Sequence, residues 1–180
     1  MTHTIAEIGT AICRLEGLEG SAATFRAGEL RTLTQRLPFM PNGKQWRADT
    51  YAQETAAALR VVQIAADVGL GRPELHSLTS HFNAPDFLAP LAPVPGGFTR
   101  PTMAQTMLAR VKAGETFSIF LDRTATGQTI IRPDWAPHNP QGRAFADSVF
   151  ESAGAEPDVI ASVELKASRI VADLLRELES

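Results

Sequence analysis

Residues 54–78 read ETAAALRVVQIAADVGLGRPELHSL, and this stretch decides the fold that the sequence predicts. Its apolar residues recur at helical spacing up to a glycine stop at Gly69, and a short helix then begins with Pro73 in its first turn. The stripe expected to be buried consists of Leu59, Val62, Ala66, Leu70, Leu75 and Leu78. The pattern therefore predicts a long helix, a tight turn and a short helix.

Two helices are predicted ahead of this stretch. Residues 4–16 carry isoleucines and a leucine at helical spacing, and Thr4 with Glu7 fits a capping box. After a glycine-containing break, Ser21 can cap a second helix over residues 22–36.

A β-hairpin is expected between the second helix and the third, which is predicted over residues 51–68. Residues 38–50 contain two prolines and the pair Asn42-Gly43. Asn-Gly is the strongest short hairpin signal because both residues tolerate a positive φ. We therefore predict a two-stranded wing that turns at this pair.

The second half of the chain predicts a connecting segment and then a mixed unit. Five prolines and a Gly-Gly pair in residues 83–101 exclude regular structure, so we expect an extended segment that crosses a surface. The expected elements that follow are a helix at 102–113, strands at 115–122 and 129–132, and helices at 143–152 and 157–178. The predicted domains are 1–82, 83–101 and 102–180.

The last predicted helix has an apolar stripe with two possible uses. The stripe consists of Ile160, Val163, Ala167, Ile170, Leu174 and Leu178. It can pack on its own domain, or it can form an interface between two copies. We predict a homodimer held largely by residues 157–178.

The length, charge and apolar content of the chain restrict the functions that it can have. The chain has 180 residues and a net charge of -3, so nucleic-acid binding would need a local basic surface. No apolar run approaches the ~20 residues that span a bilayer, and no secretory signal is evident. We therefore expect a cytoplasmic protein that has no membrane partner. The lone Cys13 fits a buried apolar position.

Enzyme motifs are absent from the sequence. It has no phosphate-binding glycine loop, nucleophile elbow or zinc-protease motif, so no catalytic residue, metal or cofactor is predicted. His76 and His81 are five apart, which is not a helical ligand spacing. Asp122, Asp134 and His138 flank the second hairpin, and a small enzyme that uses loops 122–138 is a remaining alternative.

A local excess of positive charge lies in the first half. Between Arg26 and Arg60 there are six basic and three acidic residues, which gives a local charge of +3. Arginine suits both guanine edges and phosphate oxygens because its planar guanidinium binds them in bidentate geometry. Ordinary solvated surface arginines would give the same pattern.

The order of elements resembles the MerR-type winged helix-turn-helix domain over residues 4–80. Trp46-Arg47 matches the aromatic-Arg pair of that family's wing, and Tyr51 stands near its second aromatic. Residues 59–62 (LRVV), 68–70 (VGL) and 74–78 (ELHSL) match the family's third helix, its stop and its fourth helix.

The resemblance implies an N-terminal winged helix-turn-helix unit. Together with the helix–hairpin–helix–helix unit that the residue pattern predicts after it, the expected fold is α+β and mostly α. The resemblance also implies a non-enzymatic, sequence-specific transcriptional regulator that binds double-stranded DNA. Its second helix would enter the major groove while Lys44, Arg47 and Arg60 contact phosphates. The alternative is a protein-binding adaptor with the same fold. The predicted DNA-binding residues are Arg26, Arg31, Gln35, Lys44, Gln45, Trp46, Arg47 and Arg60.

Overall fold

A computed structural model describes residues 1–87, 89–135 and 158–180. The predicted α+β class is confirmed, with helices and short antiparallel sheets. In chain order the elements are β1 (Thr2–Thr4), α1 (Ile5–Glu16), α2 (Gly20–Arg36), β2 (Gly43–Gln45), β3 (Ala48–Ala52), α3 (Gln53–Asp67), α4 (Arg72–Asn83), β4 (Ala92–Val94), β5 (Gly97–Thr99), α5 (Met103–Lys112), β6 (Ile119–Thr124), β7 (Thr129–Pro133), β8 (Val159–Leu165) and α6 (Ala167–Leu178). Across these ranges, none of the helices has the length and apolarity needed to cross a membrane.

The strands form three antiparallel sheets. The first has the order β1–β3–β2, the second is the hairpin β4–β5, and the third has the order β7–β6–β8. β1 was not predicted, because three residues are too few to show an alternating pattern. It lies beside β3, where His3 pairs with Tyr51, and it leads directly into α1.

The helix caps explain where α1 and α2 begin. The predicted capping box is confirmed, since the Thr4 hydroxyl accepts from the Glu7 amide and Glu7 accepts from the Thr4 amide. The expected cap of the second helix is wrong: α2 begins at Gly20, one residue before Ser21, and its N-cap Glu19 makes no side-chain cap. Gly20 has a φ of 57°, which is a conformation that favours glycine.

The hydrophobic core is built around α3, which packs against α4, α5 and α6. Ile8 and Ile12 of α1 and Leu59 and Val62 of α3 are almost completely buried in it. The same continuous cluster includes Leu174 of α6, so residues from both halves of the sequence share one core. The third helix begins at Gln53 and not at residue 51, because residues 51 and 52 belong to β3.

The C-terminal helix predicted over residues 157–178 is wrong in its first half. Residues 159–165 form β8, which pairs with β6, and the helix occupies only 167–178. Ala167 and Leu174 lie in the chain's own core, where α6 packs against α1 and α3, whereas Ile160 on β8 is 65% exposed. The apolar face of α6 therefore packs within its own chain, which was one of the two uses open to it.

The composition of the proline-rich segment predicted that it has no regular structure, and this prediction is wrong. Residues 92–94 and 97–99 form the β4–β5 hairpin, and Gly96, with a φ of 91°, allows its two-residue turn. The Arg100 guanidinium donates to the carbonyls of Phe87 and Ala89, which fixes the base of the hairpin. The helix predicted over 143–152 lies outside the described residues, as does His138.

Candidate nucleic-acid interface

The hairpin β2–β3 is present between α2 and α3, but its turn is not where Asn42-Gly43 predicted. Gln45 pairs with Ala48, so Trp46 and Arg47 are the two turn residues. Gly43 instead pairs with Thr50, and the Asn42 amide donates to the Thr50 carbonyl at 2.7 Å. The ladder thus extends past the Asn-Gly pair, because the added strand hydrogen bonds outweigh a local turn preference.

The turn presents a strained and fully exposed aromatic residue. Trp46 has a φ of 59° and is 97% exposed. Two-residue hairpin turns need a positive φ at the first central residue, where glycine is preferred. Lys44, Gln45 and Arg47 beside it are also exposed. The hairpin tip therefore offers an indole ring between two cationic side chains.

The helix α2 supplies a second exposed polar surface. Only Leu30 of its 17 residues is buried, so most of the helix faces solvent. Arg31, Gln35 and Arg36 are all exposed. Gly28, three residues before Arg31 on the same face, has no atom within 4 Å of the position a Cβ would take. This face can therefore approach another surface closely.

A buried connection joins α2 to the hairpin. Leu37 and Phe39 are each 6% exposed and belong to the core. Between them, the Pro38 carbonyl accepts a hydrogen bond of 2.6 Å from the Asn83 side-chain amide of α4. Both surfaces are thereby anchored to the core through their shared connection.

Four cationic side chains of these surfaces make no ion pair within the described part of the chain: Arg31, Arg36, Lys44 and Arg47. No acidic residue lies between Arg31 and Arg47 in the sequence. Asp49, which lies opposite Lys44 in the hairpin register, is the one acidic residue of the two strands. These four charges are available to an anionic partner.

Arg26 and Arg60, which were also predicted to contact DNA, lie in an ion-pair network between helices. The Arg26 guanidinium pairs with Glu16 and Glu29 at 2.8 and 2.9 Å, and with Asp67 at 2.9 Å. Arg60 is 8% exposed and donates through Nη1 to Glu16 and Gln63. The structure does not bring these two guanidinium groups together with the hairpin cations.

The network keeps the charge of Arg26 inside the protein. Burial disfavours the charged guanidinium, but hydrogen bonds and charges from Asp67 and Glu16 outweigh that effect and raise the pKa of Arg26. A guanidinium that already pairs with three carboxylates would bind a phosphate only weakly. Its role here is to join α2 to α1 and α3.

Arg36 is the residue that the sequence prediction left out. It was counted in the local charge but not among the predicted DNA contacts. The only signal that could have found it is its adjacency to Gln35 and the absence of a nearby acid in residues 30–48.

The residues of the enzyme alternative have structural partners. Asp122 is 4% exposed and accepts from Ser162 at 2.6 Å and from Arg132. Asp134 accepts from the Ser118 amide at 2.8 Å. Among the residues whose structure is described, no cluster of histidine, cysteine, aspartate or glutamate could hold a metal ion.

Comparison with models of known protein families gave no match, and comparison with curated proteins gave no significant match. Function is therefore inferred from the residues and their geometry.

Proposed function

We propose that this protein is a sequence-specific DNA-binding transcriptional regulator of the MerR-like winged helix-turn-helix kind. The observation that carries the proposal is the set of four unpaired cations on α2 and on the hairpin that follows it. An anionic polymer of regular shape is the partner that such a set fits, because phosphate contacts dominate the affinity of proteins for DNA.

The order of elements supports the same proposal. A strand, two helices, a two-stranded hairpin and a third helix follow one another, and the sheet has the order β1–β3–β2. In a winged helix-turn-helix unit, the second helix enters the major groove and the hairpin reaches the neighbouring backbone. Here α2 and β2–β3 occupy those two places in the chain.

The exposed residues can be divided by role. Arg31 and Gln35 on α2 are suited to base edges, since arginine pairs with guanine and glutamine with adenine. Lys44 and Arg47 contact phosphates, and Gln45 and Trp46 lie between them at the hairpin tip. Arg26 and Arg60 position α2 from inside the protein and are left out of the interface.

A homodimer stays a prediction, and so does the cytoplasmic location. The apolar face of α6 is used within the chain, so the predicted interface at 157–178 is reduced to its exposed part on β8. Val159 and Ile160 there are 43% and 65% exposed.

DNA selection from a random pool, followed by titration at several salt concentrations, tests the proposal. The wild type should enrich a motif and lose affinity steeply with salt. The double variant Lys44→Ala/Arg47→Ala should reduce the slope of log affinity against log salt by about 2, because each lost phosphate contact removes roughly one counterion.

Arg72→Ala is the matched control, since Arg72 is also exposed but lies at the start of α4. It should leave the slope unchanged. No binding by the wild type at 50 mM salt (about the low end of the range used for such measurements) would contradict the proposal.

A protein-binding adaptor is the second candidate, and one observation favours it. Phe87, Leu91 and Phe98, in and beside the β4–β5 hairpin, are 67%, 54% and 72% exposed. Such an apolar surface is typical of protein contacts. A failure to bind DNA, together with a partner whose binding is lost in Phe98→Ser, would favour this function.

A further inference from the structure

The tip of the β2–β3 hairpin carries an indole ring that the described part of the chain leaves uncovered. Trp46 is 97% exposed, and among the residues that the structure describes no ring contact or cation contact involves it. It is the one large apolar side chain at the tip, since Tyr51 of the same hairpin is buried. Its φ of 59° is a conformation that suits glycine better, so the ring is kept there against a local preference. An indole in this position is available to a partner.

The hairpin carries this ring well beyond the body of the protein. Residues 43–49 are all exposed, and Thr50 is the first buried residue counted back from the tip along β3. A strand rises ~3.4 Å per residue, so the turn stands roughly 10 Å beyond Thr50. The minor groove of B-DNA is about 7.5 Å deep, which lies within this reach.

The base of the hairpin is fixed, so the tip is held in one place. β1 pairs with β3 and continues into α1, and Tyr51 of β3 and Phe39 before β2 belong to the hydrophobic core. The Pro38 carbonyl accepts a hydrogen bond from the Asn83 side chain of α4. A side chain that separates stacked bases needs such support, because unstacking costs free energy that the protein contacts must offset.

The charges around the ring indicate the kind of partner. Lys44 and Arg47 lie beside it, Arg31 and Arg36 lie on the preceding helix, and none of the four has an ion pair within the described residues. Binding to a lipid surface grows with the apolar area that is buried, and a single indole offers little of it. DNA presents phosphates to the cations and flat base faces to the ring. The set therefore suits DNA better than a membrane.

We propose that Trp46 is a wedge that inserts its indole between two neighbouring base pairs from the minor groove, while Lys44 and Arg47 contact the phosphates beside it. This inference rests on the proposed DNA-binding function and adds a base contact to it. With α2 in the major groove, the hairpin reaches the neighbouring backbone, which borders the minor groove. Pyrimidine–purine steps unstack most easily. The wedge therefore selects a flexible step beside the bases that α2 reads.

The base analogue 2-aminopurine can report the insertion, because its fluorescence rises when a neighbouring base no longer stacks on it. In the DNA motif that the selection enriches, it replaces one adenine at a time, within the motif and on both sides of it. Binding of the wild type should brighten one position roughly 2-fold or more, at a pyrimidine–purine step beside the motif.

Variants of the tip assign the effect to the ring. Trp46→Ala should abolish the brightening and weaken binding about 5-fold or more, the effect of losing one contact between a base and an aromatic ring. The salt slope should stay the same, because no phosphate contact is lost. Trp46→Phe keeps a flat ring and should retain the brightening. Phe98→Ala is the matched control, since Phe98 is an aromatic residue of the other hairpin and is 72% exposed.

The DNA sequence can be varied in the same way. Replacing the brightened TA or CA step by a stiff AA step should weaken wild-type binding roughly 3-fold or more, because that step resists unstacking. The affinity of Trp46→Ala should not change with this replacement. A purely structural role of Trp46 in the hairpin would not link the residue to one base step.

Each outcome decides the matter. Brightening in the wild type and Trp46→Phe that Trp46→Ala loses and Phe98→Ala keeps supports the wedge. Binding of the motif without brightening at any position, or brightening that persists in Trp46→Ala, overturns the wedge and leaves the proposed function standing. A wild type that binds no DNA overturns both. Vesicles of phosphatidylserine and phosphatidylcholine test the lipid alternative. A blue shift of tryptophan emission on them that Trp46→Phe removes, with no brightening on DNA, also overturns the wedge.

Discussion

At the scale of single residues, Trp46 combines backbone strain with complete exposure, which stability alone does not explain. A non-glycine residue at positive φ costs roughly 1–2 kcal/mol, and this one buries nothing in return. Trp46→Gly should therefore stabilise the protein by about 0.5–1 kcal/mol after the entropy cost of glycine. It should also weaken DNA binding, because the indole is removed from the proposed contact.

Urea unfolding and DNA titration measure the two effects. Arg47→Gly is the matched control: the neighbouring turn residue does not share the positive φ, so glycine there should only destabilise, by about 0.5–1 kcal/mol. If Trp46→Gly destabilises as much as Arg47→Gly, the strain at Trp46 is not real.

His81 gives a residue-scale prediction about pH. Burial lowers the pKa of His81 below its ordinary value of 6.5, against the attraction of Asp86. As the pH falls, the unfolded chain takes up the proton first. The contribution of His81 to stability is therefore fully present above pH 6.5 and is lost as the pH falls from there towards the folded pKa.

His81→Gln should remove this dependence, and urea unfolding at two pH values on either side of 6.5 measures it. The effect is at most about 1.4 kcal/mol per pH unit. His76→Gln on the same helix is the control, because His76 is exposed. Identical pH dependence in the two variants would show that His81 titrates normally in the folded protein.

At the scale of elements, α2 is joined to its neighbours by charge more than by apolar packing. Leu30 is its one buried residue, while Glu16 of α1 accepts from both Arg26 of α2 and Arg60 of α3. Glu16→Gln should therefore destabilise the protein by about 1–3 kcal/mol, since the buried guanidinium of Arg60 would lose its carboxylate partner. Calorimetry or urea unfolding measures this, and Glu19→Gln, at an exposed residue with no ion pair in the described chain, should be neutral. Equal stability of both variants would contradict the role of the network.

The helix α6 is part of the same core and not an independent dimer arm. Leu174 is fully buried among residues of that core. Leu174→Ala should therefore cost about 2–5 kcal/mol by creating a cavity. Leu178→Ala, at the partly buried end of the helix, should cost less. Light scattering and urea unfolding together check this: a change of oligomeric state with stability unchanged would return α6 to the role of an interface.

At the scale of the whole molecule, the sequence predicted those elements whose signals are local. The boundaries of α1 and α5 and the start of α4 follow from caps and helical spacing, and the structure places them within about two residues of the prediction. The prediction failed where pairing with a distant strand decides the structure. The spacing of apolar residues in 159–165 also fits a helix. These residues form a strand because their backbone groups pair with those of β6. β3 likewise extends into the start of the third predicted helix because β1 lies beside it.

The residue types of the candidate site could be predicted from the sequence, but not which of its basic residues form ion pairs with carboxylates. A sequence shows that Arg26, Arg31 and Arg60 are basic, but it does not show which of them meet carboxylates. Glu16 and Asp67 are ten and forty-one residues from Arg26, and only the packing of three helices brings them together. The unpaired set is therefore a result of the tertiary structure.

The last prediction concerns the different DNA contacts proposed for α2 and for the hairpin. Arg47 at the hairpin tip should contact phosphate, so Arg47→Ala should weaken binding to all sequences alike and reduce the salt slope by roughly 1. Arg31 on α2 should read a base, so Arg31→Ala should relax the preference at one position of the site, at a cost of about 1–3 kcal/mol there. Titration against a set of single-base variants of the selected motif, repeated at several salt concentrations, separates the two effects. Losses that are equal and independent of sequence for both variants would show that α2 does not enter the major groove, even if the protein binds DNA.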